Sequence, residues 1–217
     1  MRWLAVGVAA SVCLGACGSP PTPSPSSGAP APRPVNAANV IRVRSALPPG
    51  YEVADVPVPV SAASLWGFGS GWTADPPQCA ALADPDADKP RALRSDGAGS
   101  GGTIFVVVSE TPNGPPGADL ANQCSSWTMA YGHTTAQVTR TNAPVIVGTE
   151  TIAWEAMTRT IVESGSETSA RATTALAYLD HHVAFVTLIT DPGSPHPPLD
   201  QGFVAEMLAT TVAALRG

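Results

Sequence analysis

The sequence lacks an apolar run long enough to cross a membrane as a helix, and it is poor in charged side chains. Its first apolar stretch, Trp3 to Leu14, has about a dozen residues, too few to span a bilayer core of roughly 30 Å. Charged residues make up 13% of the 217 residues, and the formal net charge is -6. The acidic residues are scattered and no basic cluster occurs. Nucleic acid and anionic lipid headgroups are therefore not expected as partners.

Sequence motifs of the common enzyme classes are also absent. Serine hydrolases of the α/β type carry G-x-S-x-G on a strained turn between a strand and a helix. Gly69-Ser70-Gly71 and Gly99-Ser100-Gly101 do not have that spacing and are interpreted as parts of glycine-rich loops. The chain has neither a GxxxxGK phosphate-binding loop nor an HExxH zinc motif. We therefore assign no catalytic residue, metal ligand or cofactor, and predict that the protein is not an enzyme.

One acidic run resembles the start of a calcium-binding loop. Asp84, Asp86 and Asp88 form D-x-D-x-D, which can present three carboxylates to a hard cation. Lys89 stands where such a loop needs glycine, and Ser95 stands where it needs a bidentate glutamate. A solvated acidic loop is the simpler interpretation, and calcium binding stays open.

The N-terminal residues have the order of a bacterial lipoprotein signal. Met1-Arg2 is a short positive region, and the apolar run ends in Leu14-Gly15-Ala16-Cys17, which resembles the lipobox. In that motif the cysteine thiol accepts a diacylglycerol before cleavage. Residues 1–16 are thus predicted to be removed, and Cys17 to anchor the protein at the extracytoplasmic side of the cell membrane, since two or three acyl chains anchor stably. An ordinary signal peptide with an incidental cysteine is the alternative.

A tether and a single domain are predicted to follow. Residues 17–35 comprise the lipidated cysteine and a stretch rich in proline and serine, which cannot bury enough apolar surface to fold. As polyproline II helix, this tether would reach up to roughly 55 Å. Residues 36–217 have the length of one domain, and the 44% apolar content of the whole chain can supply its core.

The cysteines indicate one disulfide. Cys13 leaves with the signal and Cys17 is acylated, so Cys79 and Cys124 remain. In an oxidising envelope these two are predicted to pair. A reactive thiol or a metal site is the alternative, but two cysteines lack the further ligands that a zinc site needs.

The pattern of the domain predicts an α+β fold with a largely antiparallel sheet and helices packed on it. Predicted strands are 51–60, 103–110, 136–141, 149–162, 169–179 and 183–190. Predicted helical segments are 35–47, 61–66, a short helix through Cys79 to Leu82, 118–127 and 199–215. Gly165 and Asp180-His181-His182 mark hairpin turns, so the late strands should form a meander. The two histidines are interpreted as turn residues, with a pH-sensitive contact as the alternative.

The motifs Pro76-Pro77-Gln78-Cys79 and Cys124-Ser125-Ser126-Trp127 stand in this order of elements. The arrangement resembles actinobacterial, chiefly mycobacterial, envelope lipoproteins related to the extracellular sensor domain of the serine/threonine kinase PknH. The resemblance covers most of residues 36–217. It implies a ligand- or partner-sensing domain with a cleft and without established catalysis.

Three aromatic residues around a glycine-rich loop are the candidate ligand contacts. Trp66, Phe68 and Trp72 could close over a lipid-like or glycan ligand, because aromatic side chains lose little conformational entropy on binding. The alternative is that they fold back into the core. Trp127, Trp154 and Tyr178 are assigned to the core or to the faces of the sheet. An envelope protein is the other expected partner. The function predicted is a sensor-like binding module; the alternatives are an envelope hydrolase with an unrecognised site and a structural or surface-exposed lipoprotein.

Overall fold

One antiparallel sheet of nine strands dominates the structure, a computed structural model that describes residues 33–56, 60–85, 88–97, 101–190 and 199–217. The strands are β1 (Tyr51–Asp55), β2 (Thr73–Asp75), β3 (Asp88–Gly97), β4 (Thr103–Glu110), β5 (Ser126–Tyr131), β6 (Thr134–Thr141), β7 (Glu150–Ile161), β8 (Glu167–Leu179) and β9 (His182–Thr190). Their order is β1-β3-β4-β9-β8-β7-β6-β5-β2. The predicted signal peptide, Cys17 and nearly all of the tether lie outside the described residues.

The helices are short except for the last. They are α1 (Ala62–Leu65), α2 (Ala80–Ala83), α3 (Ala118–Gln123) and α4 (Gln201–Leu215), with 3₁₀ segments at Ala37–Ala46 and Pro77–Cys79. The first 3₁₀ segment begins after Asn36, whose side chain accepts a hydrogen bond from the Ala38 N–H. Asp200 starts α4 in the same way by accepting from the Phe203 N–H at 2.9 Å. No helix of the described segments is long and apolar enough to cross a membrane.

The centre of the sheet is buried on both faces. On one side, here called the α4 face, α4 and the first 3₁₀ segment pack against side chains of β4, β8 and β9. On the other, here called the disulfide face, α1, α2 and α3 contribute to a second apolar cluster. Strands covered on both sides have near-continuous apolar sequences, which explains the run Thr103 to Glu110. The predicted antiparallel sheet is confirmed, within a fold richer in strand than in helix.

The meander of the second half forms as predicted, because each strand pairs with its successor. β7 and β8 pair over twelve residues each, and β8 pairs with β9 across a turn in which Asp180 has a positive φ of 50°. Asp180 and His181 therefore occupy the turn, and His182 begins β9.

Three strands, β2, β3 and β5, were not predicted, and one helix was predicted too long. The helix expected to run to Trp127 ends at Gln123, and β5 begins at Ser126. Cys124 leaves helical geometry there with ψ at 39°, and Trp127 pairs with Val138 in the β5–β6 hairpin. The chain therefore turns from helix to strand within three residues.

The acidic run is not one continuous loop. Asp84 caps the C-terminus of α2, and Asp88 is the first residue of β3. Asp86 lies outside the described residues. No group of three His, Cys, Asp or Glu side chains within the described segments is arranged to hold a metal ion.

A candidate ligand-binding pocket

The predicted disulfide is present and ties together two helical segments of the disulfide face. Cys79 ends the 3₁₀ turn before α2, and Cys124 caps α3; their Cα atoms are 5.6 Å apart. Both side chains are fully buried. Because α2 is only four residues long, its position depends on this bond and on Leu82, which is buried in the apolar cluster. The disulfide therefore places Asp84, the residue that follows α2.

A pocket of about 210 Å³ lies beside Asp84, between α1, the glycine-rich loop and the start of β3. Its apolar lining includes Phe68, Trp72 and Phe185, the last from β9. The rings of Phe68 and Trp72 meet edge to face with centroids 6.5 Å apart, which is a favourable arrangement for an aromatic pair. The apolar part of the pocket therefore has one wall from a loop and one from the sheet.

Polar groups line the same pocket. Ser61, Ser64 and Ser70 supply hydroxyls, and Asp84 supplies a carboxylate. Ser61 and Ser64 form a reciprocal cap on α1: each hydroxyl accepts from the other residue's backbone N–H, at 3.2 and 2.9 Å. The Ser64 hydroxyl also donates to the Ser61 carbonyl oxygen at 2.8 Å. These two oxygens are held in place by the backbone, so they present fixed hydrogen-bonding positions.

A second, larger pocket of about 520 Å³ adjoins the first and shares Asp84 and Pro85 with it. Its other lining residues include the proline-rich loop 111–116, Leu120 of α3 and Tyr178 of β8. Burial, and secondarily the charge of Glu150, raises the pKa of Tyr178 to about 12. The phenol is thus a neutral group at physiological pH. The disulfide connects the segment of α2, whose following residue Asp84 lines both pockets, with α3, whose Leu120 lines the second.

The structure separates the three predicted aromatic contacts. Phe68 and Trp72 line the smaller pocket, whereas Trp66 is 4% exposed and belongs to the core. Its indole Nε1–H donates to the Thr174 hydroxyl at 3.0 Å, and Thr174 in turn lies 2.8 Å from the Thr187 hydroxyl. Trp66 therefore belongs to the core and does not line the pocket.

Glycine explains how the loop brings Phe68 and Trp72 together. Gly67 and Gly71 have positive φ values of 96° and 88°, which side chains rarely adopt. Gly69 lies so close to Tyr131 that an added Cβ would fall 2.6 Å from its ring. The loop is therefore a packed structure, and its glycines are required by its shape.

Sequence reasoning missed several lining residues, and the predicted core aromatics are buried. Asp84 was considered only as a calcium ligand, and Phe185 sits in an apolar strand that carries no local signal of a pocket. Trp127, Trp154 and Tyr178 are all buried, as predicted.

The fold and the pocket define a single-sheet α+β domain with a disulfide-braced cleft on one face. The chain belongs to the family described as a domain of unknown function (DUF5642), whose model matches residues 36–216. No curated protein matches it.

Two solved structures are similar to the chain. One is an uncharacterised Mycobacterium smegmatis protein, the Rv0999 ortholog: identity is 22%, coverage is 84% of this chain and 98% of that one, and the TM-score is 0.63. The other is the extracellular domain of PknH from Mycobacterium tuberculosis, at 13% identity, 83% and 92% coverage, and a TM-score of 0.41. The predicted resemblance to mycobacterial proteins of this kind is confirmed, and the first similarity shows the fold.

Proposed function

We propose that the protein is a lipid-anchored, extracytoplasmic binding module that holds a small ligand in the pocket beside Asp84 without catalysing a reaction. The ligand class is a molecule with both an apolar face and hydroxyl groups, as a glycan or a lipid headgroup has. The observation that carries this proposal is the combination of the Phe68–Trp72 edge-to-face pair with fixed serine hydroxyls in one pocket. Aromatic surface with a few placed polar groups is the usual composition of a ligand site.

The size of the cleft supports a ligand that extends beyond one pocket. The smaller pocket, at about 210 Å³, lies below the range of roughly 300–1,000 Å³ that is usual for ligand sites. The adjoining pocket at about 520 Å³ lies within that range. A ligand that crosses the rim at Asp84 and Pro85 would contact both.

The polar groups favour binding over hydrolysis. A serine nucleophile needs an adjacent general base, and none of the described residues that line the smaller pocket is a histidine, lysine or cysteine. The hydroxyls of Ser61 and Ser64 already serve as caps of α1. Within the described lining of this pocket, the hydrolase alternative is left with Ser70 as the serine that does not cap α1 and with the Asp84 carboxylate as the candidate base.

The extracytoplasmic location is supported by the disulfide, since such bonds persist in oxidising compartments. The anchor itself is tested directly by intact-mass and peptide analysis of the N-terminus after expression in an actinobacterial host. The proposal expects Cys17 as the first residue, with its thiol acylated. An unmodified Cys17 would refute the anchor and leave the pocket unaffected.

The binding function is tested with the full chain purified from that host. Native mass spectrometry should detect a co-purifying ligand, whose fragmentation distinguishes a glycan from a lipid headgroup. Ser70→Tyr places a ring at the exposed mouth of the pocket and should reduce ligand occupancy roughly tenfold or more. The control is Ser164→Tyr, an exposed serine in the β7–β8 turn that lines neither of the two pockets.

Two results would contradict the binding proposal. The first is full occupancy in the Ser70→Tyr protein, which would locate the ligand elsewhere. The second is conversion of the ligand to a product during incubation with the purified protein, which would establish the hydrolase alternative.

A further inference from the structure

The connection between β6 and β7, residues 142–149, carries two almost fully exposed valines. Val145 is 98% exposed and Val147 is 91% exposed, whereas Ile146 between them packs against the apolar cluster of the α4 face. Single exposed apolar side chains are ordinary, but two on one protruding tip form an apolar contact without a described partner within this chain. The two exposed valines therefore suit the tip to an apolar environment.

Hydrogen bonds hold the backbone of this tip in place. The Thr151 hydroxyl donates to the Pro144 carbonyl oxygen at 2.6 Å. The Arg216 guanidinium donates to the carbonyl oxygens of Val147 and Gly148, at 3.4 and 3.1 Å. The valines are therefore displayed on a braced loop, and little further ordering is needed when they bind.

The tip lies at the end of the domain from which the chain leads back to Cys17. Near the start of the described domain, the Asn36 N–H donates to the Leu215 carbonyl oxygen at 2.9 Å. The Arg33 guanidinium lies 3.6 Å from the position that a Cβ on Gly217 would take. Arg216, which precedes Gly217 in the chain, binds the tip. The guanidinium groups of Arg33 and Arg216 therefore lie at the same end of the domain as the two valines.

We propose that this tip is a membrane-contact site, in which Val145 and Val147 enter the bilayer interface and Arg33 approaches headgroup phosphates, while Arg216 braces the tip. The proposal rests on the proposed anchor at Cys17, because the anchor keeps the tip close to a bilayer. The chain's net charge of -6 disfavours broad electrostatic adhesion, so the contact is small and mainly apolar. It is weak alone and becomes effective through the high local concentration that the anchor provides. The tether's reach of roughly 55 Å is an upper limit and permits the domain to lie against the membrane.

The test places an environment-sensitive fluorophore at the tip of the full chain. Val147→Cys carries the label, and Ser164→Cys, at the opposite end of β7, is the matched control. Peptide mapping verifies the label position and the state of Cys17. The labelled proteins are mixed with phosphatidylcholine vesicles, whose headgroups carry phosphates but no net charge. Emission is recorded before and after vesicles are added, with spin-labelled lipid as the quencher.

The proposal expects a blue shift and quenching at position 147 and neither at position 164. Adding Val145→Asp to the tip-labelled protein should abolish the shift, while Val145→Ile should preserve it. A water-like emission at position 147 in vesicle-bound protein overturns the proposal. A shift already present before vesicles are added also overturns it, because the tip would then contact a second copy of the chain. A vesicle-dependent shift with unmodified Cys17 would uphold the contact site and refute the anchor, so the two failures are distinguishable.

Discussion

Replacing Thr174 by valine should destabilise the domain although it changes almost no volume. Thr174 is fully buried and links the Trp66 indole N–H to the Thr187 hydroxyl, with distances of 3.0 and 2.8 Å. Valine removes the shared hydroxyl and leaves two buried polar groups without this partner. Each such group costs about 1–3 kcal/mol, so the free energy of unfolding should fall by about 2–6 kcal/mol.

Urea unfolding followed by tryptophan fluorescence measures this change, with Thr135→Val as the control. Thr135 is exposed on β6, where the same substitution should stay within about 0.5 kcal/mol. Trp66→Phe removes the donor, so Thr174→Val should cost about 1–2 kcal/mol less in that background. Equal costs for Thr174→Val and Thr135→Val, or no coupling with Trp66→Phe, would refute the role assigned to this hydrogen-bonded chain.

Three further predictions concern stability. Replacing Cys79 and Cys124 by alanine opens a loop with a sequence separation of 45 and should lower the free energy of unfolding by about 4 kcal/mol in urea titrations; an unchanged midpoint would contradict the bond. The raised pKa of Tyr178 favours the neutral phenol in the folded state, so this stabilisation is fully present below pH 10 and is lost as pH rises to about 12. The loss is roughly 1.4 kcal/mol per pH unit, and Tyr178→Phe should remove that dependence in unfolding measured across this window. Gly102→Ala would place a Cβ 2.5 Å from the Ile189 carbonyl oxygen, so thermal melts should show a loss of about 1–3 kcal/mol.

The meander could be predicted because its signals are local. Thr103 to Glu110 is rich in β-branched residues, and the strands of the second half are separated by turn residues such as Gly165 and Asp180. α4 could be predicted from apolar residues at helical spacing. These elements follow from patterns that lie within a dozen residues of each other.

The strands that were missed depend on distant partners. β3 contains charged residues, a proline and a glycine, and it exists because its backbone pairs with β4 on one side and β1 on the other. β5 follows α3 so closely that its first residues continue a helical pattern. Pairing with β6 and the disulfide at Cys124 decide its conformation.

The candidate site could be predicted only in part, because some of its residues are brought together by contacts between distant parts of the chain. Phe68 and Trp72 were found because they flank glycines in a short segment. The position of Trp66 depends on Thr174, 108 residues later in the chain. Phe185 and Asp84 reach the pocket through sheet pairing and through the disulfide, and neither relation is visible in the local sequence.

The disulfide also determines when the cleft can be complete. A chain with reduced cysteines has no covalent link between α2 and α3, so the rim at Asp84 then depends on the burial of a four-residue helix. At the proposed extracytoplasmic location, oxidation would complete the pocket only after export. The protein would therefore reach its compartment empty, and whatever it holds would be acquired there.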